Sequence, residues 1–180
     1  MDLPIADICV VTPYPAHGEP RGPRHARAWA EAFPKRKVLF LDCAAEGAPR
    51  PCPKSLQDVP NLRWHTFKFS TRQTNFVKWL TIKARQRLAL WRFRRGGVVT
   101  SNLLAPELHG LYKLLAGSQT AIYHAHKWEV FLPLLQSGAR PSNCVFDCME
   151  FYSEMGEGQS AEVSEAIRKL EACWLPQCRL

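Results

Sequence analysis

Residues 6–43 read ADICVVTPYPAHGEPRGPRHARAWAEAFPKRKVLFLDC. The first seven, ADICVVT, are apolar and rich in β-branched side chains, the composition of a buried strand. Residues 12–24 follow with four prolines and two glycines, an irregular loop. HARAWAEAF, 25–33, has a helical pattern that stops before Pro34. KVLFLDC, 37–43, is a second apolar strand, and unbroken apolar runs belong to parallel sheets covered on both faces. Strand, helix and strand in this order predict a βαβ unit.

The rest of the chain repeats the alternation. A Pro-rich stretch over 44–60 is a surface connection, and LRWHTFKF, 62–69, alternates like an edge strand. Helical patterns cover 75–95 and 102–116. TAIYHAH, 120–126, is a strand, and WEVFLPLLQSG, 128–138, is a short helix closed by Gly138. NCVFDCM, 143–149, is the next strand. Residues 160–173 form an amphipathic helix with Val163, Ile167 and Leu170 on one side. The expected fold is α/β: one Rossmann-like domain with a doubly wound, mainly parallel sheet of about five strands. Ligands in such sheets bind at the carboxyl ends of the strands.

Apolar residues make up 46% of the 180 and charged residues 22%, which excludes wholesale disorder. The seven cysteines are never spaced CxxC and lie mostly in apolar runs, so they read as reduced thiols of a cytoplasmic protein. No run approaches the roughly 18 apolar residues of a membrane span. The net charge of +8 is concentrated: residues 63–95 hold ten Lys or Arg and no acid. Within them Lys78, Arg85 and Arg92 recur every seven residues, on a helix that also carries Phe76, Trp79, Leu80 and Trp91. Lys78, Trp79, Arg85, Trp91 and Arg92 therefore form a candidate surface for an anionic membrane. A solvated basic helix is the other reading, because Lys83, Arg87 and Arg94 interrupt the apolar side. No nucleic-acid motif accompanies the charge, and nucleic acid is not an expected partner.

Three polar clusters end the apolar strands. In the first, Gly18 and Gly22 with Arg21 and Arg24 could bring backbone amides and charge to a phosphate, although a plain Pro-rich connector explains the same residues. In the second, His124 and His126 share one face of a strand. They suit hydrogen bonding to hydroxyls or proton transfer; no third metal ligand is identifiable from spacing, so no metal is expected. In the third, Asp147 and Glu150 could act as a general base or bind hydroxyls, or form an acid cluster at a helix start.

Taken in order, ICVVTPYP, IYHAHKWE, VFDCMEFYSE and EVSEAIRKLEACWLP resemble the amino-terminal domain of GT-B glycosyltransferases, most closely the family-four group. The chain departs from that group at Met149, where some relatives have His, and at Glu150, where others have Asp. Glu154 and Glu162 match the spacing of the family's donor-site acids but fall in the wrong domain, so that match is rejected. The resemblance implies an acceptor-side half, with the donor domain absent from this chain, which stops where a sixth strand should begin. It also implies hexose transfer from a nucleotide-sugar to a glycan or lipid-linked acceptor once a donor domain is supplied, with no further cofactor. Asp147, Glu150 and His126 would then line the catalytic cleft, and Gly18, Gly22, Arg24 and His124 would meet substrate. The chain alone would be inactive, resting in the cytoplasm or on the cytoplasmic membrane face. The competing expectation is a non-catalytic α/β binding or scaffold protein that uses its basic helix for a membrane or protein partner.

Overall fold

A computed structural model describes residues 5–48, 52–118, 120–147 and 160–178. Five strands, β1 (Ile8–Val11), β2 (Val38–Ala45), β3 (Leu62–Phe69), β4 (Ile122–His126) and β5 (Cys144–Asp147), pair in the order β3-β2-β1-β4-β5. Every pairing is parallel. This is the expected Rossmann-like, doubly wound sheet, with the alternating strand 62–69 at one edge. From β1 the chain steps outward to β2 and β3, then returns to place β4 on the other side of β1. The order reverses there, and a crevice opens between the carboxyl ends of β1 and β4.

Helix α1 (Arg21–Ala32) starts inside the stretch expected to be loop. The first helical turn has N–H groups without intrahelical acceptors, so Pro20 at the N-cap and Pro23 in that turn cost little. Gly22 permits close docking on the sheet: a Cβ there would meet the Phe40 ring at 2.9 Å and Thr12 Cγ2 at 3.3 Å. Helix α2 (Phe76–Gly96) has sharp ends. The Asn75 side chain accepts from the Lys78 amide, and Gly97, at φ 63°, terminates the helix in the left-handed region. The pattern over 102–116 is not one helix but two, α3 (Ser101–Leu104) and α4 (Leu111–Ala116). Pro106 and Gly110, at φ 139°, interrupt them. Helices α5 (Trp128–Gln136) and α6 (Ala161–Trp174) lie close to the expected positions.

The two sheet faces bury different cores. Ile8, Val10, Val38 and Phe40 pack against Ala26 and Ala30 of α1. On the opposite face Cys9, Val11, Leu39, Leu41, Tyr123, Ala125 and Phe146 meet α4, α5 and α6 through Leu111, Phe131, Leu134, Ile167 and Leu170. Helix α2 forms an outer layer, with Ala89 and Phe93 against Leu103 of α3 and Ala166 of α6. Cys9, Cys43 and Cys144 are buried in the strands, whereas Cys52 and Cys173 are exposed. None of the described helices is long and apolar enough to cross a membrane.

Candidate functional site

Strand alternation turns Ile122, His124 and His126 of β4 toward the α1 side, while Tyr123 and Ala125 enter the opposite core. Asp147, the last residue of β5, pairs in register with His126. Helix α1 brings His25 and, one turn later, Trp29 over the same patch. Three imidazoles and one carboxylate thus meet at the reversal of the sheet, on the edge where a doubly wound fold opens its crevice.

The rings are close-packed. His25 lies with its centroid 4.9 Å from His124 and 5.0 Å from His126, and His124 stacks 4.9 Å from His126. Trp29 Nε1 donates to His124 Nδ1 at 2.9 Å. Indole N–H is a donor only, so neutral His124 must carry its proton on Nε2. His25 Nδ1 and His126 Nε2 share a hydrogen bond at 3.3 Å. Asp147 Oδ2 lies 3.0 Å from His126 Nδ1 and 3.8 Å from His25 Nδ1. His126 is 3% exposed and His124 8%, so solvent reaches the cluster mainly at His25 and Asp147.

Burial sets the protonation states. It pushes His124 down to about 3, and the neighbouring His126 and His25 add to the effect. Burial also lowers His126, with Asp147 and then Glu19 pulling in the opposite direction. His124 is therefore a neutral ring held by Trp29. His126 is a buried imidazole whose protonated form would be answered by the Asp147 carboxylate.

The loop after β1 is tied down by side chains. Asp42, fully buried within β2, accepts from the Ala16 amide at 2.8 Å and from Trp64 Nε1 at 3.0 Å. Thr12 Oγ1 donates to Glu19 at 2.9 Å, and the Gly18 amide donates to the Pro15 carbonyl at 2.8 Å. The amides of Ala16 and Gly18 are thus already bonded within the fold, and Gly22 lies beneath the Phe40 ring. These contacts favour the connector over the phosphate cradle. Gly18 and Arg24 are exposed on the rim.

No family model, curated protein or solved structure matches the chain.

Among the expected site residues the fold unites His124, His126 and Asp147. Glu150 lies outside the described residues. His25 and Trp29 escaped the sequence reading, although their spacing of four puts them on one helical face. A shallow groove lined by His25, Ala28, Trp29, Ala32 and Phe33 continues from the cluster along α1. Asp42 was also missed, hidden in an otherwise apolar run.

Lys78, Arg85 and Arg92 are exposed on α2, and Trp91 is 49% exposed. Trp79 is half-buried and stacks on Phe76 at 5.8 Å. The outward surface is more apolar than expected: Phe76, Val77, Leu80, Leu88 and Trp91 all face solvent. At about 100° per residue they fall within one arc, with Lys83 beyond one margin, Arg85 and Arg92 beyond the other, and Arg87, Arg94 and Arg95 inside it.

Proposed function

We propose that this chain is the acceptor-side half of a glycosyltransferase, joining a hexose from a nucleotide-sugar to a hydroxyl of a glycan or lipid-linked acceptor when a donor-binding domain completes it. The supporting observation is the His25–His126–Asp147 cluster at the reversal point of a doubly wound sheet, beside the groove under Trp29 and Phe33. Flat aromatic rings beside hydrogen-bonding groups suit a sugar, whose faces are apolar and whose edges carry hydroxyls. The acceptor oxygen forms the new bond to the anomeric carbon. The bond from that carbon to the donor diphosphate breaks, and its electron pair leaves with the nucleotide. The hydroxyl proton passes to the imidazole pair, where Asp147 stabilises the resulting imidazolium.

Transfer should require both halves, because closure of one domain on the other positions the reactants and excludes water. The test is to titrate the 180-residue chain with nucleotide-sugars and candidate acceptors, then repeat with a donor domain supplied in trans. Acceptor binding by the chain, with turnover only after mixing, is expected. Turnover or tight nucleotide-sugar binding by the chain alone would overturn the half-enzyme assignment, as would no acceptor binding and no turnover on mixing.

A second role is favoured by α2, whose exposed apolar arc is bordered and interrupted by cations. We propose that it lies on an anionic bilayer, its aromatic and aliphatic side chains at the interface and its arginines at the headgroups. This would hold the chain at a cytoplasmic membrane face whether or not it is catalytic. Co-sedimentation with anionic vesicles at low salt, weakened at high salt, is the expected result. Binding indifferent to lipid charge would refute it.

A further inference from the structure

We infer that His25, His126 and Asp147 form a binding site for a zinc-class divalent cation at the carboxyl edge of β4 and β5. His25, His124, His126 and Asp147 each offer one ligand atom, and these atoms lie within 4.8 Å of one another. Ligand atoms around a four-coordinate zinc-type ion, with bonds of about 2.0–2.2 Å, stand about 3.3 Å apart. His25 Nδ1 stands 3.3 Å from His126 Nε2 and 3.8 Å from Asp147 Oδ2, which brackets that spacing; the 3.0 Å contact of Asp147 Oδ2 is with the other ring nitrogen, His126 Nδ1, so His126 enters the site through Nε2 alone.

The ligand set is narrower than the cluster. His124 accepts from Trp29 at Nδ1, which leaves the proton on Nε2 and no lone pair for a metal. It acts as a wall, stacked on His126. His25 and His126 can each present a nitrogen once the proton between them is displaced. For the partly exposed His25 ring this requires only a shift of its proton to the outer nitrogen. Asp147 supplies an oxygen and a negative charge, 3.0 Å from His126 Nδ1 and 3.8 Å from His25 Nδ1. Two imidazoles and one carboxylate leave further coordination positions open, a set suited to Zn²⁺ and neighbouring first-row dications.

The inference does not depend on sugar transfer, because cation binding is measured on the chain alone. If transfer is also real, the cation competes for the nitrogens that would receive the hydroxyl proton, and added Zn²⁺ inhibits. The experiment uses chelator-treated chain titrated with Zn²⁺ by calorimetry and with Co²⁺ by electronic absorption. Expected are one equivalent bound and Co²⁺ bands without the near-ultraviolet absorption of thiolate coordination. His25→Ala and His126→Ala should each weaken Zn²⁺ binding by about 100-fold, the upper end of what outer-shell losses cost. His124→Gln should leave it within a few-fold. Circular dichroism establishes that each variant is folded, and His25→Ala, on the more exposed ring, remains decisive if His126→Ala does not fold. Absence of binding, binding that survives His25→Ala, or a thiolate band removed by Cys52→Ser or Cys173→Ser would overturn the site.

Discussion

Two ring triads stand back to back across the β4–β5 pair. On one face Trp128, Phe131 and Phe146 lie with centroids 4.5–5.2 Å apart, edge-on or tilted. On the other, His25, His124 and His126 lie 4.9–5.0 Å apart. The spacing is the same and the chemistry opposite. The indole and phenyl rings gain by leaving water, each contributing about 1.5–3 kcal/mol. The imidazoles must keep polar partners in a crowded space or lose free energy. A strand with period-two alternation separates the two demands: Tyr123 and Ala125 serve stability, His124 and His126 serve chemistry. The difference teaches that the cluster is maintained despite a cost that the opposite face offsets.

That division can be broken most severely from the apolar side. Phe131→Ala should remove roughly 3–5 kcal/mol of stability, measured by urea unfolding, because a fully buried ring leaves a cavity. A loss no larger than that of an exposed Phe76→Ala control would show that the apolar triad is not the supporting face. Next comes the docking of α1, which holds His25 over the sheet. Gly22→Val should cost about 1–3 kcal/mol by overpacking against Phe40. An unchanged midpoint would mean that α1 can shift outward without loss.

The third prediction depends on pH. His124 is neutral in the folded chain and its folded value, about 3, lies below the ordinary histidine value near 6.5. Its contribution is therefore complete above about 6.5 and is lost as pH falls toward 3. His124→Gln keeps an acceptor for Trp29 but cannot titrate, so its stability should fall less steeply than wild type between pH 6 and about 4. Equal slopes would place His124 in a wetter setting than its burial suggests. The smallest expected change in stability belongs to Asp147→Asn, about 0.5 kcal/mol, because the amide keeps the side chain's size and an oxygen that accepts from His126 Nδ1. The same variant should lose most of its Zn²⁺ affinity. A large fall in melting temperature would instead make Asp147 a structural acid.

The sheet was legible because its strands are short apolar runs separated by turn-forming residues, and parallel pairing leaves that pattern on both faces. The start of α1 was not, because Pro20, Gly22 and Pro23 resemble loop residues until the helix start and the Phe40 contact give them a place. The break over 102–116 carried a local signal in Pro106 and Gly110, which the apolar periodicity outweighed. His124 and His126 could be paired by alternation alone. Their partners could not: His25 is 101 residues from His126 and Trp29 is 95 from His124, so strand order decides those contacts. Helix α2 shows the converse. Its charge was plain, but the side it turns outward depends on packing against α3 and α6.

The buried cysteines also make the sheet a self-recording clock. Cys9 in β1 and Cys144 in β5 have thiols raised by burial, Cys144 to about 12, while Cys43 in β2 is raised by burial and by nearby Asp42 and Glu107. Only thiolate reacts appreciably with alkylating reagents, so each sulfur stays silent until its strand opens to water. Cys52 and Cys173 would label at once and provide the zero of the time base. A timed alkylation pulse followed by peptide mapping would then distinguish fraying of edge strand β5 from opening of central β1 and β2. Their common rate would report concerted unfolding, and an earlier Cys144 signal would locate the first breach beside Asp147.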